Sequence, residues 1–176
     1  MDFQQTLENE WSHLSDGIKS ASHPFHNFIL SNSINDIPES RIVILRTINI
    51  QKRLIGFNTD KRSPKYAALL NNNNVNALFY DQKRKIQLRI KGKTNLADER
   101  KIQSLWKNMA LESRLCYMGK FGPSSVIETY EPNMPLQKIT EISDEEYTLG
   151  LKNFIHFIIK IETIDWLYLH SSGHKR

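Results

Sequence analysis

Arg41-Ile42-Val43-Ile44-Leu45-Arg46 places two guanidinium groups at the ends of four apolar residues, three of them β-branched, which predicts a strand. Downstream lie Phe57-Asn58-Thr59-Asp60-Lys61-Arg62-Ser63-Pro64-Lys65 and then Gln87-Leu88-Arg89-Ile90-Lys91-Gly92. Ser63 as an N-cap and Pro64 at the first helical position predict a short helix, ended by the asparagine run 71–74, because Asn tolerates the left-handed conformation common past a helix C-terminus. A helix start offers free N–H groups and a favourable dipole to an anion. The arginines, Lys65 and the Ser63 hydroxyl would complete a set suited to a phosphate, which carries close to two negative charges and accepts several hydrogen bonds. Arg41 and Arg46 differ by five positions and face opposite sides of a regular strand. Both reach one ligand only if the strand bends, bulges or lies at a barrel rim.

Outward from this stretch, segments 41–47, 53–58, 75–81 and 84–93 read as consecutive antiparallel strands, with 81–83 short enough for a hairpin connection. Phe3, Leu7, Trp11, Leu14 and Ile18 recur at helical spacing and predict an amphipathic helix over 2–20 that packs across the sheet. His23-Pro24 breaks it, and 32–40 reads as a polar loop. Ile102, Leu105, Trp106 and Met109 predict a helix over 97–109; Ser143 to Glu146 has the pattern of a capping box opening a helix that runs to 153. Segment 119–136, with Gly122-Pro123, Pro132 and Pro135, reads as irregular, a loop lying over a neighbouring subunit. Segments 154–161 and 164–169 read as two buried closing strands. Several antiparallel strands with flanking helices favour an α+β closed or partly closed barrel, in a single domain over 1–176.

No apolar run approaches the roughly 20 residues that cross a bilayer, and the first residues carry Asp2, Glu8 and Glu10 rather than a basic, apolar leader, so the expected compartment is the cytoplasm. A single cysteine, Cys116, forms no internal disulfide. His13, His23, His26, His156 and His170 have no partners at metal-ligand spacing, so no metal site is expected. Lys and Arg outnumber Asp and Glu by 24 to 19, with cations gathered at 83–93. On a period-two strand Lys85, Gln87, Arg89 and Lys91 share one face, which reads as solvated. Nucleic-acid binding ranks last, because Phe79, Tyr80 and Trp166 are not interleaved with those cations.

The three quoted segments, in this order and spacing, resemble the FMN-binding split barrels related to pyridoxamine 5'-phosphate oxidase, over roughly 24–176. The resemblance implies an antiparallel split β-barrel with flanking helices. It also implies a homodimer with flavin mononucleotide (FMN) between the subunits. Arg41, Ile42, Val43, Ile44, Leu45 and Arg46 match the strand that lines the flavin and reaches its phosphate. Asn58 and Thr59 match the pair ending the next strand. The family's Ser-Arg-Lys phosphate turn becomes Ser63-Pro64-Lys65, with Arg62 standing in for the missing arginine. Gln87 matches a contact made from the partner subunit, and Ser124 and Ser125 lie near another. The true oxidases hold their substrate with Tyr-Phe-x-x-Arg-Pro, which has no counterpart here, and with a C-terminal Arg-x-His-x-Arg. That stretch is Ser172-Gly173-His174-Lys175-Arg176, keeping His174 as a candidate proton donor or acceptor and Arg176 as a cofactor contact. The loss of the first arginine argues for a less characterised branch. The expected function is therefore an FMN-dependent oxidoreductase acting on an unidentified small molecule, or alternatively a non-catalytic carrier of a flavin or phosphate ligand.

Overall fold

In the computed structural model, which describes residues 2–129, 132–135 and 142–176, helix α1 (Phe3–Lys19) comes first, its N-terminus capped by the Asp2 carboxylate accepting from the Gln5 N–H. A 3-10 turn at Pro24–His26 follows, and then strands β1 (Asn27–Ile34), β2 (Ile37–Asn49) and β3 (Leu54–Asp60). Helix α2 (Pro64–Asn71) leads into β4 (Asn74–Asp81) and β5 (Ile86–Leu96). After α3 (Glu99–Asn108), α4 (Leu111–Leu115) and α5 (Asp144–Asn153), the long strand β6 (Phe154–Tyr168) returns to the sheet. The strands close into an antiparallel barrel in the order β1-β2-β3-β6-β5-β4.

Alternation explains two separate cores. Ile155, Phe157 and Ile159 of β6 point into the barrel beside Phe28, Leu45, Phe57, Phe79 and Leu88, with Trp11 and Leu14 of α1 sealing that core. Phe154, on the opposite face of β6, packs outside the barrel with Trp106, Leu115 and Met118. Both sides of the strand are buried over 154–159, as that apolar stretch requires, whereas 164–168, expected to be buried, are only half-buried.

Three local expectations change, and one helix, α4, was not expected. The polar stretch 32–40 is not a loop: it closes the β1–β2 hairpin through Asn35 and Asp36, both at positive φ (51° and 63°), the geometry of a type I′ turn. The closing segments 154–161 and 164–169 are one strand, its register with β5 shifted where Glu162 is inserted between partners of Lys91 and Gly92. Helix α2 does not end in a left-handed asparagine: Asn72 is extended at φ −133°, and its side chain accepts from the Asn74 N–H instead. Segment 119–136 is irregular at 119–129 and 132–135; positions 130, 131 and 136 lie outside the described residues.

Candidate functional site

At the end of β3 the chain turns sharply into α2, and this turn separates two polar clusters. Toward the barrel end, the Lys65 ammonium donates to Thr59 Oγ1 (3.1 Å), which is 3.4 Å from Ser63 Oγ. Ser63 sits at the N-cap with extended backbone, yet its hydroxyl donates to the Asp60 carbonyl (2.7 Å) rather than capping α2. Arg41 reaches the same region from β2. Its guanidinium donates to Asn32 Oδ1, to the Leu30 carbonyl (3.4 Å) and to Glu39 (2.9 Å). Burial lowers the Lys65 pKa, and the nearby positive charge of Arg41 lowers it further, against a smaller opposing pull from Asp60. The two cations are near enough to repel; Arg41 is paired with Glu39, while Lys65 forms no ion pair among the described residues.

On the other side of the turn, Arg62 is committed to Asp60, a carboxylate 4% exposed. Its Nε and Nη2 donate to the two carboxylate oxygens at 2.7 to 3.2 Å, and Nη1 donates to the Gly119 carbonyl at 2.7 Å. The Tyr117 hydroxyl lies nearby, its pKa raised chiefly by burial and, less, by Cys116, with Arg46 pulling the other way. Arg46 is the bulge residue of β2: Leu45 pairs with Phe57 and Thr47 with Gly56, leaving Arg46 unmatched. The bulge exists, and the Arg46 charge acts on the Tyr117 hydroxyl.

Of the strand between the arginines, Val43 and Leu45 are buried in the barrel core, while Ile42 is 71% exposed on the outer face. Ile44 shares that outer face and is half-buried. Asn58 is occupied. Its Oδ1 accepts from His156 Nδ1 (2.7 Å), so His156 Nε2 is left to accept from the Thr47 hydroxyl (2.9 Å). Burial first, and Lys101 second, push the His156 pKa down to about 4, so the ring is neutral.

Gln87, His174 and Arg176 lie elsewhere. Gln87 is on the outer face of β5, paired with Tyr80 and Leu167, across the barrel from β2. The C-terminal residues fold back along β6 through a two-hydrogen-bond bridge between Tyr168 and Lys175, and Arg176 pairs with Asp165 at 3.0 Å. His174 is exposed. Of the cations of 83–93, Lys83, Lys85, Lys91 and Lys93 are exposed, as a solvated face implies, while the two arginines are paired. Arg84 forks onto Glu10 (3.0 and 2.9 Å), bonds Asp81 (2.7 Å) and lies over the Phe25 ring, and Arg89 pairs with Asp165.

Asn32, Asp60 and Tyr117 shape this site and were not singled out in the sequence. Asp60-x-Arg62 within a tight turn is a legible signal for an ion pair; Asn32 was hidden because its strand read as a loop. No group of three or more metal-ligating side chains converges among the described residues, and no helix there is long and apolar enough to cross a membrane.

The family model described as "Pyridoxamine 5'-phosphate oxidase, FMN-binding domain" matches residues 5–98, which include Arg41, Thr59, Ser63, Lys65 and Gln87 and stop short of His174 and Arg176. No curated protein matches the chain. Among solved structures, a pyridoxamine 5'-phosphate oxidase-related, FMN binding protein from Nostoc punctiforme superposes with TM-score 0.69 at 18% identity, covering 94% of this chain and 86% of that one. PhzG from Burkholderia lata, solved with tetrahydrophenazine-1-carboxylic acid, gives TM-score 0.68 at 15% identity over 97% and 83%. A putative pyridoxamine 5'-phosphate oxidase from Listeria innocua gives 0.58 at 16% over 92% and 98%. At these identities the likeness is one of fold.

Proposed function

The chain belongs to the family of the pyridoxamine 5'-phosphate oxidase FMN-binding domain, and on that premise we propose that it binds FMN and serves as a flavin-dependent oxidoreductase for a small molecule. The observation that carries the cofactor reading is the Lys65 ammonium, half-buried within the field of Arg41, bonded to the Thr59 hydroxyl and without an ion pair among the described residues. A second cation at close range is unfavourable unless an anion sits between them. A phosphate monoester fits this donor set: Arg41 and Lys65 would neutralise it, and the Thr59 and Ser63 hydroxyls would donate to it. Arg62 would not, since all three of its guanidinium nitrogens are already used on Asp60 and Gly119, whereas Arg41, bonded through Nη1 and Nη2, keeps Nε without a partner among the described residues.

Bound FMN would supply hydride acceptance, leaving the protein to orient the donor and control access to the ring. Gln87 and Arg176 lie across the barrel from β2, so they would meet the flavin of a second copy. An apolar row supports such pairing. Ile42, Ile29 and Leu78 are register neighbours across β2, β1 and β4, with Ile42 71% and Ile29 38% exposed. The exposure of His174, with no hydrogen bond fixing its ring among the described residues, favours a second reading, a non-catalytic flavin carrier.

The test is an absorption spectrum of the purified protein before and after added FMN, then bleaching of the bound flavin by NAD(P)H or pyridoxamine phosphate. A bound flavin that turns over identifies the oxidoreductase, a bound flavin that never turns over identifies the carrier, and a colourless protein that ignores FMN overturns both.

A further inference from the structure

The segment that runs past the β3–α2 turn is held by a regular series of side-chain donors. The carbonyls of residues 117, 119 and 121 each accept from a different element. Asn153 Nδ2 donates to the Tyr117 carbonyl (2.9 Å), Arg62 Nη1 to the Gly119 carbonyl (2.7 Å) and Asn133 Nδ2 to the Phe121 carbonyl (2.6 Å). Asn133 also accepts from the Phe121 N–H at 2.9 Å, closing a ring on that residue. Gly122 then lies so close that a Cβ there would meet Arg62 Cβ at 2.8 Å. The far side of the clasp is equally tight: Asp60 Oδ1 accepts from the Arg62 backbone N–H (2.7 Å), and the Lys61 N–H donates to the Asn153 carbonyl (2.8 Å).

From this geometry we infer that Arg62 is a positioning residue rather than a phosphate ligand: with Asp60 it locks the Ser63–Lys65 turn and the 117–122 segment into one rigid unit. Asp60 is buried and its two oxygens accept four hydrogen bonds from three donors of Arg62, the backbone N–H, Nε and Nη2, so the pair is neutralised internally. A guanidinium so engaged cannot present a free bidentate fork to a phosphate. What it fixes instead is the backbone on both sides. One side carries Ser63 and Lys65, and the other leads into Ser124 and Ser125, followed by Val126, which is fully exposed. Cofactor loading and the placement of that exposed loop are thereby mechanically joined.

The assignment rests on the flavin reading above for its ligand arm only, and the experiment separates the two. Affinities for FMN and for riboflavin, which lacks the phosphate, are measured by flavin fluorescence in the wild type, Arg62→Gln and Lys65→Gln, together with amide hydrogen exchange of residues 117–122. The ratio of FMN to riboflavin affinity reports direct phosphate contacts. It is expected to stay within about twofold of wild type in Arg62→Gln and to fall about tenfold or more in Lys65→Gln, as loss of a charge-assisted bond requires. Exchange at 117–122 should quicken by about tenfold or more in Arg62→Gln. A ratio that falls in Arg62→Gln as it does in Lys65→Gln, or exchange that does not change, overturns the assignment. Should the wild type bind neither flavin, the FMN reading fails and the exchange arm alone decides the clasp. If Arg62→Gln does not fold with Asp60 left unpaired, the double variant Asp60→Asn/Arg62→Gln, which keeps a neutral amide pair, carries the same measurements.

Discussion

Lys65 is the residue on which the site turns. Burial first, and the charge of Arg41 second, lower its pKa, and a bound anion would offset both. Lys65→Ala and Arg41→Ala should each weaken FMN by about 10- to 100-fold in a fluorescence titration, the range expected for one charge-assisted contact. His156 makes a different prediction. Its folded pKa of about 4 lies below the usual histidine value of 6.5, so the unfolded chain binds protons first as pH falls. Its stabilising contribution is intact above pH 6.5, declines through the window from 6.5 to 4, and amounts to about 2 kcal/mol lost by pH 5. Denaturant unfolding at pH 7 and pH 5 should show this loss, and His156→Gln should shrink it; an equal loss in the variant would place the titrating group elsewhere. The start of α2 was legible in the sequence because a Ser-Pro pair fixes the local geometry of a helix N-terminus. The engagement of Arg62 and Asn58 was not, because their partners, Gly119 and His156, lie 57 and 98 residues away.

Elements are joined here by a few polar contacts set among apolar ones. The Arg84 guanidinium ties α1, through Glu10, to the β4–β5 turn, through Asp81, while the Trp166 indole N–H donates to Glu10 from β6 at 3.2 Å. Glu10 is 4% exposed, so Arg84→Ala would leave two buried carboxylates short of a partner and should cost about 3 to 5 kcal/mol in thermal or denaturant unfolding. A loss under about 1 kcal/mol would mean the triad is solvated. At the β5–β6 bulge a Cβ on Gly92 would meet the Lys160 carbonyl at 2.2 Å, so Gly92→Ala must shift backbone and should destabilise by about 1 to 3 kcal/mol. Helices α1, α3 and α5 were readable from spacing and caps, including the reciprocal Ser143–Glu146 box. The β1–β2 hairpin was not, because its tip, Asn35-Asp36, is polar turn material and its strand ends carry Ser, Asn and Pro, residues that usually mark loops.

The whole molecule is a closed barrel whose order, β1-β2-β3-β6-β5-β4, puts the Arg41–Lys65 cluster and the Gln87–Arg176 face on opposite walls. A closed or partly closed barrel followed from the number of antiparallel strands; the strand order that closes it did not, since pairing β3 with β6 spans about a hundred residues that no local pattern reports. On the proposed reading these opposed half-sites would need a second copy to enclose the flavin, and light scattering of the purified protein should give twice the chain mass of 20.6 kDa. A monomer that binds FMN tightly would contradict that arrangement. The most direct measurement is titration of the purified protein with FMN, in parallel with Lys65→Ala, followed by flavin fluorescence and absorption. Saturable binding in the wild type, weakened at least about tenfold in Lys65→Ala and reduced by competing inorganic phosphate, is the predicted result; no binding, or binding indifferent to Lys65, would contradict a phosphate seat at the β3–α2 turn.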